Sequence, residues 1–186
     1  MLSPTDAFES VPSRTLNRRR LLACLAALPF LAATAPAAAA SRGLQRLQPR
    51  PSAPKLRLTA LDGKIYDLGA QQGRVVVVNF WSVYCGACKA EMPALDALAR
   101  QHPEVAVWGV AAGDSPETVA AFAETVAVGF PLLPDPQMHA ASAWSVPVLP
   151  VTDVIDPQGR IALRMIGEAH WDQPPLRDQV LALIAG

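Results

Sequence analysis

A chain of 186 residues, 51% of them apolar, can bury one sizeable core, and its length argues for one domain rather than two. The 16 Lys and Arg balance the 16 Asp and Glu, so bulk charge gives no sign of a phosphate backbone or an anionic membrane as main ligand, and nucleic acid is disfavoured. No repeat period is visible, and Pro gathers in the N-terminal third and in loops, which argues against a solenoid or a low-complexity scaffold.

Residues 1–40 read as an address rather than as fold. "SPTDAFESVPSRTL" leads into "NRRRLLACLAALPFLAATAPAAAASR", a basic cluster, an apolar run and small residues before Ser41, which is the layout of a secretory signal peptide. Arg18 and Arg19 resemble a twin-arginine signal, although Asn17 stands where Ser or Thr is usual, so twin-arginine and Sec export both stay open. Pro29 and Pro36 interrupt the run and Ala38-Ala39-Ala40 offers a cleavage site, which favours removal; an uncleaved N-terminal membrane anchor is the alternative. Leu21-Leu22-Ala23-Cys24 looks like a lipoprotein box, but arginines rather than an apolar stretch precede it. Cleavage near Ala40 discards Cys24 and leaves Cys85 and Cys88, in a compartment where thiols oxidise unless a dedicated electron supply keeps them reactive.

Residues 41–53, within "SRGLQRLQPRPSAP", are Pro-, Arg- and Gln-rich and read as a flexible linker of polyproline character; the folded domain is expected over 54–186. "KLRLTALDGKIYDL" alternates around Asp62-Gly63, a dipeptide suited to the tight turn of a β-hairpin. "RVVVVNFW", Arg74 to Trp81, is a continuous β-branched run expected of a strand buried on both faces. From Ala87 to Ala99 apolar residues recur at helical spacing, with Pro93 expected to bend the helix. "EVAVWGVAA" predicts another buried strand and "SPETVAAFAETVA" a helix capped by Ser115 with Pro116 at its first position. "FPLLPD" predicts a short extended segment, "QMHAASAW" a short helix, "LPVTDVID" and "RIALRMIG" two strands joined by a turn at Pro157 to Gly159, and "PPLRDQVLALIAG" a closing helix. Strands alternating with helices, then an antiparallel pair and a last helix, predict an α/β sandwich of the thioredoxin type.

Cys85-Gly86-Ala87-Cys88 falls between the buried strand and the helix. A helix N-terminus offers unpaired amides and the positive end of the dipole, both of which favour a thiolate at Cys85, the expected attacking group; Cys88, one turn on, is the resolving thiol. A zinc site needs about four ligands, whereas the mature chain adds only His102, His139 and His170, none at ligand spacing to another. A permanent staple over so small a loop would constrain little of the unfolded chain.

"VVNFWSVYCGACKAEMPAL", with "FPLLPD", "WSVPVLPVTDVIDPQGRI" and "GEAHWD" downstream in order and spacing, resembles the TlpA/ResA/DsbE group of exported thioredoxin-like proteins over about Pro54 to Gly186. The resemblance implies a thioredoxin-like fold, a central mixed sheet flanked by helices, with an N-terminal β-hairpin and a central insertion. It also implies thiol:disulfide exchange outside the cytoplasm through a redox-active Cys85/Cys88 disulfide. Glu91 matches the acid this group keeps beside the dithiol, a candidate carrier for the second sulfur's proton. Its plainer role is a first-turn acid complementing the helix dipole. Cytoplasmic thioredoxins carry a buried acid at the position of Asn79; an amide cannot relay a proton in that way, so acid function rests on Glu91. Pro150 matches the family's cis proline facing the cysteines, with Pro147 as rival, so the Leu149-Pro150 bond is the cis candidate. Leu149, Pro150, Tyr84, Gly86 and Ala87 are the residues expected to meet substrate.

Three departures stand out: Tyr84 replaces the usual Trp, Ala87 replaces the common Pro, and Asp153 stands in a strand that is usually apolar. A carboxylate there costs several kcal/mol unless paired, so Asp153 is expected exposed or hydrogen-bonded, with a role at the active-site edge as the other reading. Trp81 and Trp108 read as core packing. The expected protein is an exported, periplasmic, monomeric thiol:disulfide oxidoreductase without cofactor or bound metal. It would reduce client disulfides in cytochrome c maturation or metal-site assembly and be recharged by a membrane donor of the DsbD or CcdA type. A copper-delivery protein using the two thiols as ligands and a peroxiredoxin-like thiol peroxidase are the alternatives.

Overall fold

The computed structural model describes residues 43–185, so the signal reading, Cys24 and the cleavage site lie outside the described residues. Their core is a six-stranded mixed sheet, built from β1 (Gly43–Arg46), β4 (Val75–Trp81), β5 (Val105–Ala112), β6 (Leu132–Asp135), β7 (Val151–Ile155) and β8 (Ile161–Ile166) in the spatial order β1-β8-β7-β4-β5-β6. A separate hairpin pairs β2 (Arg57–Thr59) with β3 (Ile65–Asp67) around Gly63, whose φ of 79° is the left-handed turn conformation that a glycine adopts without a Cβ penalty. β5 lies parallel to β4 and to β6, whereas β7 runs antiparallel to β4 and β8 antiparallel to β7.

The Val-rich run 75–78 is buried on both sides because the sheet is covered twice. On one face lie α1 (Gly86–Gln101), α2 (Pro116–Ala123) and α4 (Leu176–Leu181), with Leu95, Val119 and Val180 packed against Val77, Trp81 and Val154. On the other, α3 (His139–Ala143) and the hairpin bring Trp144 and Leu56 against Val76, Val78, Phe80 and Ile155. Alternation along each strand follows from the two-residue period: Asn79 shares the α1 face with Val77 and Trp81, and Val78 and Phe80 share the other. Trp81 and Trp108 are buried, and Ser115 caps α2 with Pro116 at its start, as the sequence indicates. α1 runs without interruption through Pro93.

The segment expected as a linker is corrected by the structure. Gly43–Arg46 is an edge strand in register with Leu163–Ile166 of β8, and beyond it Leu47 N donates to Ala162 O, Ile161 N to Pro51 O and Ala53 N to Gly159 O. An edge strand with half-buried side chains is held by main-chain hydrogen bonds and needs no apolar run, so composition alone did not mark it. The closing helix is also shorter than its sequence pattern, six residues over Leu176–Leu181. Among the described residues no helix is long and apolar enough to cross a membrane.

Candidate active site

β4 ends at Trp81 and α1 begins at Gly86, so the intervening turn delivers Cys85 to the C-terminal end of the parallel strands, where open α/β sheets place their ligands. The turn is held from below by Asp114, the second residue after β5. Its Oδ2 accepts from Val83 N at 2.9 Å and its Oδ1 from Ser82 Oγ at 3.3 Å, while Cys85 N donates to Ser82 O at 3.0 Å. Cys85 is the N-cap of α1: its Sγ accepts from Cys88 N at 3.2 Å, so the sulfur sits among the unpaired amides of the first turn. Cys85 and Cys88 are joined as a disulfide, with Cα atoms 5.2 Å apart.

The pair is accessible on one side only. Cys88 is fully buried, whereas Gly86 and Ala87 are exposed and Tyr84 is 84% exposed beside Cys85. The Leu149–Pro150 bond is cis and immediately precedes β7. Pro150 is buried, its carbonyl accepts from Gly167 N at 2.9 Å, and Leu149 and Cys85 both pack against the apolar cluster of the α1 face.

One turn beyond Cys88 on the same helix face stands Glu91, with 1% of its surface exposed. Its Oε1 accepts from Asn79 Nδ2 at 2.7 Å; its Oε2 accepts from Ala169 N and from Trp171 Nε1, each at 3.2 Å. Asn79 Nδ2 donates in addition to Thr152 Oγ1 at 2.9 Å. All of these partners are neutral, and among the described residues no cation closes the site. Burial is therefore the largest influence on Glu91 and pushes its pKa from 4.5 up to about 7, against the downward pull of the Trp171, Asn79 and Ala169 donors. A buried acid that titrates near neutrality one turn from a buried sulfur is chemically able to take or give a proton there.

The reading that gives Asp153 a role at the active-site edge is not supported. Asp153 is fully buried on the opposite face of β7 from Thr152, and Arg164 Nε and Nη2 grip its two oxygens at 2.7 and 2.6 Å. Arg164 Nη2 also donates to Trp144 O at 2.9 Å. The expectation of a hydrogen-bonded Asp153 holds, and the partner is a full ion pair.

Sequence reasoning missed Trp171, Ala169 N and Asp114. Trp171 lies 80 residues from Glu91, and its one signal was an isolated Trp in the polar stretch "GEAHWD". Among the described residues no three His, Cys, Asp or Glu side chains cluster closely enough to hold a metal ion.

The AhpC/TSA family model matches residues 49–164. The chain is 31% identical over 132 residues to the thiol-disulfide oxidoreductase ResA of Bacillus cereus, covering 69% of this chain and 76% of that protein. It is 34% identical over 119 residues to the thioredoxin-like protein YneN of Bacillus subtilis, covering 62% and 69%. Among solved structures, a secreted thiol-disulfide isomerase from Corynebacterium glutamicum superposes with a TM-score of 0.69 at 22% identity, over 80% of this chain and 95% of that one, a likeness of fold.

Proposed function

The chain belongs to the AhpC/TSA family and is a thiol-disulfide oxidoreductase, and from that premise we propose that it is an exported reductant of client-protein disulfides working through Cys85, Cys88 and Glu91. The observation that carries the reading is the dithiol at the N-terminus of α1 with a buried, near-neutral carboxylate one turn behind it.

In the reduced protein the helix N-terminus favours the Cys85 thiolate. It attacks one sulfur of the client disulfide, forming a Cys85–client mixed disulfide and releasing the other client sulfur as a thiolate. Glu91 takes the proton of Cys88; the Cys88 thiolate then attacks Cys85 Sγ, forming the intramolecular disulfide and releasing the second client thiolate. Two electrons pass to the client, whose thiolates take up protons from solvent and from Glu91. A membrane donor of the DsbD or CcdA type returns two electrons to Cys85/Cys88. Tyr84, Gly86 and Ala87 form the exposed rim that the client meets, Leu149 and the buried Pro150 are its proposed further binding residues, and apocytochromes c or copper-site proteins are the proposed clients. Export is supported by the basic, apolar and small-residue layout of residues 1–40, which also assigns that segment as a signal peptide or anchor. The peroxidase alternative is not favoured, because the ResA relatives are named thiol-disulfide oxidoreductases and YneN a thioredoxin-like protein.

A Cys88→Ala variant expressed with its own signal is expected to accumulate client proteins as mixed disulfides on Cys85. In glutathione buffers the Cys85/Cys88 couple is expected below about −220 mV, and a value near the about −120 mV of a DsbA-like oxidant would reverse the assigned direction.

A further inference from the structure

Both hydrogen bonds to Glu91 Oε2 come from one stretch between β8 and α4: the Ala169 amide and the Trp171 indole, each at 3.2 Å. That stretch is fixed at both ends, by Gly167 N on Pro150 O at 2.9 Å and by the Trp171 ring, fully buried in the cluster that holds Leu95 and Val180. An indole N–H and a backbone N–H can only donate. A proton placed on Oε2 would point at two other protons, so Oε2 stays an acceptor in either charge state of the carboxyl group. Oε1 is different, because its partner is an amide. Asn79 now presents Nδ2 to it and leaves Oδ1 buried without a hydrogen bond; turning the amide over would bring Oδ1 to a protonated Oε1 and let Thr152 Oγ1, also a donor, complete the set.

We propose that Trp171 is a positioning residue for the reaction: with the Ala169 amide its indole N–H reserves Oε2 as an acceptor, so that the proton leaving Cys88 is taken on Oε1, opposite the reversible amide of Asn79. This rests on Glu91 being the proton carrier. The groups that face or neighbour Glu91 are Cys88 on its own helix, the neutral Asn79 and Thr152 from β4 and β7, and Glu168, His170 and Asp172 on the Trp171 stretch. Of these, Glu168 is the charge it feels, and that charge pushes it upward.

The test follows the side-chain carboxyl carbon of Glu91 and the indole proton of Trp171 by NMR during a pH titration of the intact folded protein, beside pH–rate profiles for insulin reduction. In the wild type the two signals move together with a midpoint near 7. Trp171→Phe raises the Glu91 midpoint by about one pH unit, since a donor to the charged form is lost, and moves the rate profile with it. In a Glu91→Gln background the same replacement leaves the rate profile unmoved. An indole signal that stays flat while Glu91 titrates overturns the proposal, as does a Trp171→Phe protein that is less stable but keeps the wild-type midpoint. The wild-type titration decides even where Trp171→Phe does not fold. If Glu91→Gln alone leaves the rate profile of the wild type intact, the proton-carrier reading itself fails, whatever the indole does.

Discussion

Two carboxylates are buried at the middle of the sheet, on opposite faces and one register step apart. Glu91 is tied through Asn79 to Thr152, while the next pair along, Val78 opposite Asp153, turns the other way. Asp153 is clamped by a guanidinium on both oxygens; among the described residues Glu91 has only neutral N–H donors. Burial pushes the Asp153 carboxyl upward as well, but there a cation at hydrogen-bond distance pulls against it with both its hydrogen bonds and its charge, and Asp153 in return holds Arg164 above its ordinary pKa. Neutral donors orient Glu91 without matching its charge, so its ionised form stays costly and its proton is exchanged near neutrality. The same residue chemistry thus gives an ion-paired structural carboxylate on one face and, under the disulfide on the other, one held by neutral donors.

Cutting the fixed pair has the largest expected effect. Arg164→Ala leaves Asp153 charged, buried and alone, and costs about 3–5 kcal/mol in a denaturant titration. Replacing both partners by apolar residues of similar volume, Asp153→Leu with Arg164→Met, restores most of that loss, because the desolvation of both ions disappears with their attraction. Disulfide exchange is expected to survive in the double variant, since the pair lies across the sheet from the dithiol. A double variant as unstable as the single would mean that the ion pair contributes more than it costs to bury.

Glu91 gives the opposite signature, read as pH dependence. Its folded pKa of about 7 lies above the ordinary 4.5, so between these values the folded oxidised protein holds a proton that the unfolded chain has lost. The associated stability is fully present below about pH 4.5 and is lost as pH rises through 7, a fall of about 3 kcal/mol. Glu91→Gln is expected to flatten that slope, because an uncharged amide has no proton to lose and Asn79 can turn its own amide to accept from it. A slope that persists in Glu91→Gln would move the linkage to another group.

The two faces also differ in how far they could be read from sequence. Cys85 and Cys88 were legible because their relation is local: a β-branched run, a turn and a helix start fix the spacing within one strand–helix unit, whereas Glu91 was marked as the acid by the family resemblance and spacing gave only its place on the helix. Asp62-Gly63 and Ser115-Pro116 were legible for the same reason, each carrying its turn or cap chemistry in two adjacent residues. The partners that give Glu91 its properties were not, since Ala169 and Trp171 reach it across 78 and 80 residues and Asn79 across 12. Asp153 could be recognised as needing a partner, but its face depends on strand register, and Arg164 is assigned to it only once β7 and β8 pair. The strand Gly43–Arg46 escaped because main-chain bonds to β8, which composition does not encode, hold it in place.

Thr152 offers the smallest and most specific probe of the contrast, because it sits beside Asp153 on β7 yet belongs to the Glu91 side. Thr152→Val keeps the volume and the β-branch but removes the oxygen that accepts from Asn79 Nδ2. One N–H of a fully buried amide then has no partner, a cost of about 1–3 kcal/mol. The other N–H still faces Glu91 Oε1, so the ionised carboxylate keeps its donor. When Glu91 is protonated and the amide has turned, Asn79 Oδ1 still accepts from Oε1 and loses only the second donor that the Thr152 hydroxyl supplies, so no new polar group is orphaned. The loss of stability should therefore be larger on the alkaline side of the Glu91 midpoint than on the acid side, and chemical denaturation of the oxidised protein at the two pH values measures that difference. An equal loss at both would mean that the Asn79 amide keeps one orientation through the titration.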